Sequence, residues 1–140
     1  MNTYEKPLPL MHGWTKEFYD WCKQRELRLQ RCKACGAWRH VPQPLCSECH
    51  SWEWGWAKAS GRGRLFTWCV VFDPPSPIFA KDVPFAGAVV ELEEGPRLVS
   101  WVSGVDPMKL EAGMPLEVWF DDVTPEVTLA KFRPAVPSAR

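Results

Sequence analysis

Four cysteines in two closely spaced pairs constrain this chain more than any other feature of its sequence. Cys32 and Cys35, with Gly36 directly after them, are separated by ten residues from Cys46 and Cys49. Two residues between cysteines let one tight turn direct both sulfurs to a common point, and two such turns are the ligand spacing of a structural zinc site. Four thiolates leave no open position on the metal. The pattern predicts one structural zinc ion per chain.

Other roles for these cysteines fit the sequence less well. Disulfides need an oxidising compartment, and residues 1–10 contain two prolines and a glutamate instead of the apolar stretch of a signal peptide. A redox pair would need a βαβ setting, which the flanking sequence lacks. A single iron ion fits the same sulfur cage, because spacing alone does not separate Zn²⁺ from iron.

No run approaches the roughly 18 apolar residues of a membrane span. We expect a cytoplasmic protein without a membrane segment.

Tryptophan is unusually frequent, with nine residues among 140. A chain this small cannot easily bury nine indoles in its own core, and tryptophan is common at interfaces, so we expect a partner chain.

The net charge is zero, but the charges are unevenly distributed. Residues 1–64 carry eleven Lys and Arg against six Asp and Glu, and residues 65–140 carry six Lys and Arg against eleven Asp and Glu. We attribute the basic half mainly to compensation of the anionic metal–thiolate centre, because the isoelectric point of about 6.8 is far from the basic values of nucleic-acid binders.

The first third of the chain predicts one helix and a short-stranded ribbon. Thr15 is a suitable N-cap, and the apolar residues that follow it at helical spacing predict a helix from about 15 to 25. Cys22 has no cysteine partner nearby and is predicted to be a small buried hydrophobic residue. Short strands are predicted at 27–30 and 38–41. A further strand would place three indoles on one face: Trp52, Trp54 and Trp56. Such a face can stack single-stranded bases, but few basic residues are interleaved, which favours packing against a protein.

From Gly61 onward the sequence predicts five β-strands. A loop with four prolines spans 73–84, and Asp106-Pro107 predicts a capped helical turn between the third and fourth strands. This order matches an OB-type barrel. Cys69 has apolar neighbours and is expected to be buried, with a raised thiol pKa. The predicted strands cover 64–72, 85–92, 98–105, 116–122 and 128–132.

The predicted fold class is therefore mainly β: an N-terminal helix, a rubredoxin-like zinc ribbon, then a five-stranded OB-fold barrel. We divide the chain into an N-terminal extension and helix (1–31), the ribbon (32–57), the barrel (58–134) and a frayed tail (135–140). Its three histidines are scattered, its serines lack a nucleophile-elbow context, and no glycine-rich loop opens a helix. We expect no catalytic residues, so that this chain is not an enzyme by itself.

Five stretches of the sequence, in a fixed order, are specific in combination. They are Leu29 to Gly36, Pro42 with Cys46 to Cys49, Ser60 to Gly63, Val90 to Gly95, and Gly113 to Pro115. In this order they resemble the family of small zinc-ribbon/OB-fold proteins, once classed only as a domain of unknown function, that accompany thiolase-superfamily enzymes. The resemblance covers about Phe18 to Pro134 and departs at Ser47, where the family often has proline.

The resemblance implies a non-catalytic subunit of a complex that acts on acyl-CoA by thiolytic or retro-aldol cleavage of a C–C bond. It implies a thiolase-like catalytic partner, an aldolase or an acyltransferase, in a hetero-oligomer such as a heterotetramer, with CoA at a shared site. Charge and position then identify candidate residues. Those expected to contact CoA or the partner's active site are Arg39, Arg62, Arg64, Phe79 and Lys81. Those expected at the partner interface are Phe18, Trp21, Trp52, Trp54 and Trp56.

Two other functions remain open on the residues alone. Zinc ribbons and OB barrels also bind nucleic acid, but the sequence lacks a continuous basic groove. The four cysteines also suit a rubredoxin-type iron carrier, which would be red when purified, whereas a zinc protein would be colourless.

Overall fold

The computed structural model describes residues 4–136, which form one α-helix and eight strands. Two short 3₁₀ turns, Pro77–Phe79 and Pro107–Lys109, lie in the connections. None of the helices in these residues is long and apolar enough to cross a membrane. The elements are α1 (Gly13–Lys23), β1 (Arg28–Cys32), β2 (Trp38–Arg39), β3 (Trp54–Lys58), β4 (Arg62–Val71), β5 (Phe85–Leu92), β6 (Arg97–Val102), β7 (Pro115–Asp122) and β8 (Thr128–Pro134).

The helix begins two residues earlier than its sequence predicts. His12 is the N-cap, in an extended conformation and without a side-chain cap bond, and its carbonyl accepts from the N–H of Lys16. The prediction of Thr15 as the cap is therefore wrong, because that residue already lies inside the first turn. The helix buries Phe18 and Cys22, one turn apart, which confirms the predicted role of Cys22 as a buried apolar residue.

The ribbon is a three-stranded antiparallel sheet in the order β2-β1-β3. Cys32, at the end of β1, pairs with Trp54, so the sheet ends where the metal site begins. The predicted strand at 38–41 is limited to Trp38–Arg39. Trp52 precedes β3 and stays outside the sheet, so only two of the three predicted indoles share its face.

The remaining strands form a closed barrel in the order β4-β5-β6-β8-β7, with β7 returning to β4. This order confirms the predicted OB-fold. The one parallel junction, between β6 and β8, is a single pair, Val102 with Phe132. Between β6 and β7, Asp106 caps the 3₁₀ turn by accepting from the N–H of Met108 at 3.0 Å, as predicted. The buried core joins the helix, β1 and the barrel through Phe18, Cys22, Leu27, Leu29, Leu65, Ala86, Ala88, Val90, Leu92, Leu98, Val102, Leu116 and Phe132.

A bulge in β4 overturns the prediction that Cys69 is buried. The register with β5 shifts between Leu65 and Thr67, so one extra residue is inserted there. Because side chains alternate along a strand, the extra residue exchanges the inward and outward faces beyond it. Leu65 points into the barrel, whereas Cys69 pairs with Gly87 on the outside and is exposed.

The apolar tip of the proline-rich loop 73–84 packs against the barrel. Ile78 and Phe79 are half-buried, and the Phe79 ring lies 6.1 Å from that of Phe85 and 6.4 Å from that of Trp101, between centroids. At the other end of the chain, the N–H of Ala135 donates to the carbonyl of Pro115 at 3.0 Å. Residues 137–140 of the predicted frayed tail lie outside the described residues.

Candidate metal centre and surrounding surface

The four predicted ligands converge on one point at the end of the ribbon sheet. Their sulfur atoms all lie within 4.8 Å of one another. The Sγ atoms of Cys32 and Cys49 are 3.6 Å apart, and those of Cys35 and Cys46 are 3.7 Å apart. A zinc–sulfur bond of about 2.3 Å gives a tetrahedron with edges of about 3.8 Å, which these two distances match.

Each cysteine pair is held by the same backbone turn. Gly36 donates its N–H to the carbonyl of Cys32 at 3.0 Å, and His50 donates to that of Cys46 at 2.9 Å. Both residues have positive φ, +79° for Gly36 and +63° for His50. Glycine adopts this conformation without strain, whereas histidine does so at a cost. His50 is exposed and serves the turn through its backbone.

Backbone N–H groups of the turns also favour the thiolate form of two ligands. The N–H of Cys35 points at the Cys32 sulfur from 3.5 Å, and such donors lower the pKa of the Cys32 thiol to about 6. The N–H groups of Cys49 and Glu48 lower the pKa of Cys46 in the same way. At Cys35 and Cys49 the backbone donors act in the same direction but are outweighed by desolvation and the neighbouring sulfurs, which raise the pKa of both thiols. Thiolates are the form that binds metal, so metal binding has to displace protons from these two ligands.

Comparison with known proteins agrees with this architecture. A family model described as the ChsH2 rubredoxin-like zinc ribbon domain matches residues 22–54, and one described as the ChsH2 C-terminal OB-fold domain matches residues 56–121. A chain of the solved "Ltp2-ChsH2(DUF35) aldolase" is 40% identical, with a TM-score of 0.83, and the alignment covers 92% of this chain and all of that one. This chain belongs to the ChsH2/DUF35 family.

Two curated relatives within the family are considerably longer than this chain. A probable enoyl-CoA hydratase alpha subunit of Thermomonospora curvata is 41% identical over 132 residues, which are 94% of this chain and 41% of that protein. The 3-oxo-4,17-pregnadiene-20-carboxyl-CoA hydratase alpha subunit of Mycobacterium tuberculosis is 38% identical over 120 residues, or 86% and 37%. This chain therefore spans about two fifths of the length of these two relatives.

Family membership and sulfur geometry together confirm the metal prediction. The matched ribbon is a zinc ribbon, and the four cysteines form a cluster of the right size. The site is closed by four protein ligands, so its zinc stabilises the fold and offers no position for a substrate.

Arg39, a candidate CoA contact, is bound within the ribbon. Its Nε donates to Gln30 Oε1 at 2.7 Å and its Nη2 to the carbonyl of Gln43 at 2.8 Å. Gln30 is fully buried, and its Oε1 also accepts from the N–H of Gln43 at 2.7 Å. Sequence reasoning missed this polar centre because alternation along β1 marks Gln30 as an outward residue. The sequence signal for this polar centre is weak: a single glutamine, Gln30, that follows Leu27 and Leu29 and precedes Cys32.

The other three candidate cations do not lie together. Arg62 and Arg64 are at the start of β4, whereas Lys81 is in the loop after β4, four residues before Phe85, which pairs with Val71 at the far end of that strand. A ten-residue strand spans about 30 Å, so these charges mark opposite ends of the barrel. Arg64 Nε donates to Glu91 Oε1 at 3.0 Å, while Lys81 is exposed.

The candidate interface aromatics divide into buried and exposed groups. Phe18 is in the chain's own core, 5.3 Å from the ring of His40, whose pKa is lowered by burial, so the structure gives Phe18 an internal role. Trp21 is stacked under the Arg28 guanidinium at 4.2 Å. Trp54 and Trp56 meet edge to face at 5.2 Å. Trp52 is 71% exposed and is the candidate best placed to contact another molecule.

Proposed function

We propose that this chain is a non-catalytic subunit that binds and stabilises a catalytic protein of the thiolase superfamily acting on acyl-CoA. The observation that carries the proposal is the match, at 40% identity, to the full length of a chain in an Ltp2-ChsH2(DUF35) aldolase. The zinc centre is closed, so the chemistry belongs to the partner. No comparison supports the nucleic-acid alternative.

The partner is proposed to cleave a C–C bond, in a hetero-oligomer such as a heterotetramer. The hydratase alpha subunits match this chain over only about two fifths of their length, whereas the aldolase chain is matched in full. The full-length match makes the aldolase complex the better guide to the partner. The names of all three proteins refer to acyl-CoA or aldolase chemistry, which supports a CoA ester as substrate.

Among the candidate contacts, we assign CoA phosphates to the exposed arginines at the start of β4, Arg62 and Arg64. Guanidinium groups bind phosphates well, and the two side chains project from one face of the strand. Lys81 and Phe79, at the opposite end of the barrel, are assigned to the partner's active-site side. Arg39 stabilises the ribbon from within, and Trp52 is assigned to the partner interface.

The test is to isolate the tagged chain from its native host and measure the mass of the intact complex, its zinc content and its acyl-CoA lyase and thiolase activities. We expect a thiolase-superfamily chain in fixed ratio, with one zinc ion per copy of this chain. A partnerless chain, or one that carries nucleic acid, would overturn the proposal. Within a confirmed complex, R62A/R64A should raise the KM for the CoA ester, while K109A, an exposed lysine elsewhere on the barrel, should leave it unchanged.

A further inference from the structure

The barrel has an opening at its parallel junction. β6 and β8 pair only through Val102 and Phe132, and on the side toward the start of both strands a side chain bridges them instead. There the hydroxyl of Ser100 donates to the carbonyl of Ala130 at 2.6 Å. A cavity of about 320 Å³ lies over this opening, which we call the seam cavity; its floor includes Leu98, Ser100 and Ala130.

Three separate segments border the seam cavity, which is open to solvent on one side. The lead-in contributes Lys6 and Pro7, helix α1 contributes Tyr19, and the proline-rich loop contributes Phe79. The lead-in and the loop are joined by an ion pair between Lys6 Nζ and Asp82 Oδ2 at 2.9 Å. Because segments distant in sequence build its walls, the cavity is a product of the tertiary fold and is formed before any ligand arrives. Its volume falls at the lower end of the range of about 300–1,000 Å³ typical of small-molecule sites.

The polar groups of the seam cavity surround the indole of Trp101. The ammonium of Lys131 lies 5.1 Å from this ring and that of Lys6 lies 5.3 Å from it. Lys131 has only 14% of its side chain exposed, and among residues 4–136 its one hydrogen bond is to Asp121 Oδ2, at 2.7 Å. An ammonium has three N–H donors, so Lys131 can still donate to an oxygen acceptor within the cavity.

We propose that the seam cavity binds a compact aromatic or alicyclic carboxylate. Its rings would lie against Phe79, Tyr19 and the aliphatic floor, and its carboxylate would accept from Lys131. A cavity of this volume holds about ten water molecules, which an apolar lining binds poorly, so an apolar ring gains by displacing them. All the groups involved belong to this chain, so binding is measurable on the chain alone, although one wall residue, Phe79, is also assigned above to the side that faces the partner.

The test uses the zinc-loaded full chain, with 2-naphthoate as the probe and 2-naphthylmethylammonium as its cationic counterpart. Binding is followed by ¹⁵N NMR. We expect saturable one-site binding of 2-naphthoate, with shifts of the Ser100, Trp101 and Ala130 amides and of the Trp101 indole. We expect the cation to bind about tenfold more weakly, since it cannot accept the Lys131 hydrogen bond.

Two pairs of variants locate the site. Val99 and Val41 are both exposed valines, but only Val99 lines the cavity, so V99W should block the probe and V41W should not. K131M should abolish the preference for the carboxylate, while K109M should preserve it. Zinc content and thermal unfolding show that each variant is folded. The proposal is overturned by non-saturable binding, by shifts away from the seam, by a preference for the cation, or by equal effects of V99W and V41W.

Discussion

The ribbon and the barrel of this chain are stabilised in different ways. The barrel closes its sheet and fills the interior with apolar side chains from every strand, among them Leu65, Val90, Leu116 and Phe132. The ribbon has three short strands, an exposed Trp52, and a buried glutamine bonded to a half-buried arginine where a larger domain would place apolar residues. A unit of about thirty residues cannot bury enough apolar surface to fold alone, and the metal supplies the missing free energy.

The two regions are nevertheless joined through one strand. Leu27, just before β1, and Leu29 within it, belong to the same buried core as the barrel side chains. The N–H of Ala59, between ribbon and barrel, donates to the carbonyl of Leu27 at 2.8 Å. The part of the ribbon near the barrel is thus held by packing and the far part by zinc, which predicts that the two parts respond differently to the same damage.

Loss of one zinc ligand should have the largest effect. Cys46→Ser removes a buried ligand, and structural zinc contributes about 10–16 kcal/mol of apparent binding free energy in small ribbons. We expect the zinc to be lost and the NMR signals of both cysteine turns to collapse, while the barrel strands keep their dispersed spectrum. Cys69→Ser, at an exposed cysteine outside the cluster, should keep its zinc. Retention of metal by the Cys46 variant, or collapse of the barrel with the ribbon, would contradict the division into a zinc-dependent ribbon and a barrel stabilised by packing.

A cavity in the barrel should have the converse effect. Phe132 is fully buried on β8, and truncating a buried phenylalanine to alanine costs about 3–5 kcal/mol. Phe132→Ala should lower the free energy of unfolding in urea by this amount while the folded fraction retains its zinc. The control is Phe72→Ala, at an exposed phenylalanine after β4, which should cost less than about 1 kcal/mol. Similar losses in both variants would indicate that the barrel is not the main apolar core.

The features predictable from sequence are those that obey local rules. The cysteine turns follow from a spacing of two residues, and the Asp106 cap follows from its own dipeptide. Strand β5 was predicted over 85–92 and lies at Phe85–Leu92, because its alternation is uninterrupted and a glycine turn ends it.

The features that sequence did not predict depend on tertiary contacts. The β4 bulge leaves no periodic signal, because both faces of that strand are apolar, and so the exposure of Cys69 could not be foreseen. Gln30 is polar and buried only because Arg39 of the neighbouring strand satisfies its oxygen. The tip of the proline-rich loop folds inward because Trp101, on β6, offers it a ring surface.

Close backbone approach between β4 and β5 provides a smaller test of barrel closure. A Cβ atom on Gly63 would lie 2.5 Å from the carbonyl oxygen of Glu91, whereas one on Gly87 would meet nothing nearer than the Cys69 sulfur at 3.8 Å. Gly63→Ala must therefore displace backbone, and we expect a loss of about 1–3 kcal/mol. Gly87→Ala, a matched change on β5, should be tolerated. Chemical denaturation of both variants measures the difference, and equal stabilities would show that the strands can separate at this point without cost.

The ion pair that links the end of helix α1 to the barrel should have the smallest effect and a distinct pH dependence. Arg25 Nη1 donates to Asp122 Oδ1 at 2.8 Å, and the hydroxyl of Thr128 donates to the same oxygen at 2.6 Å. These donors, Arg25 first, hold the pKa of Asp122 below its ordinary value of 3.8. A carboxylate with a lowered folded-state pKa stabilises the fold above its unfolded-state pKa, and the contribution is lost as the pH falls toward the folded-state value.

Asp122→Asn should therefore lower the free energy of unfolding only slightly at neutral pH, because both side chains are about half exposed and solvent screens the pair. The difference from wild type should stay constant from about pH 8 to pH 5 and shrink below about pH 4. Urea unfolding across this range measures it, with Asp73→Asn, an exposed loop acid, as the control. A difference that persists undiminished at pH 3 would mean that Asp122 acts through its hydrogen bond to Thr128 within the barrel and not through its charge toward Arg25. The junction between helix and barrel would then depend on packing alone, like the apolar end of the ribbon.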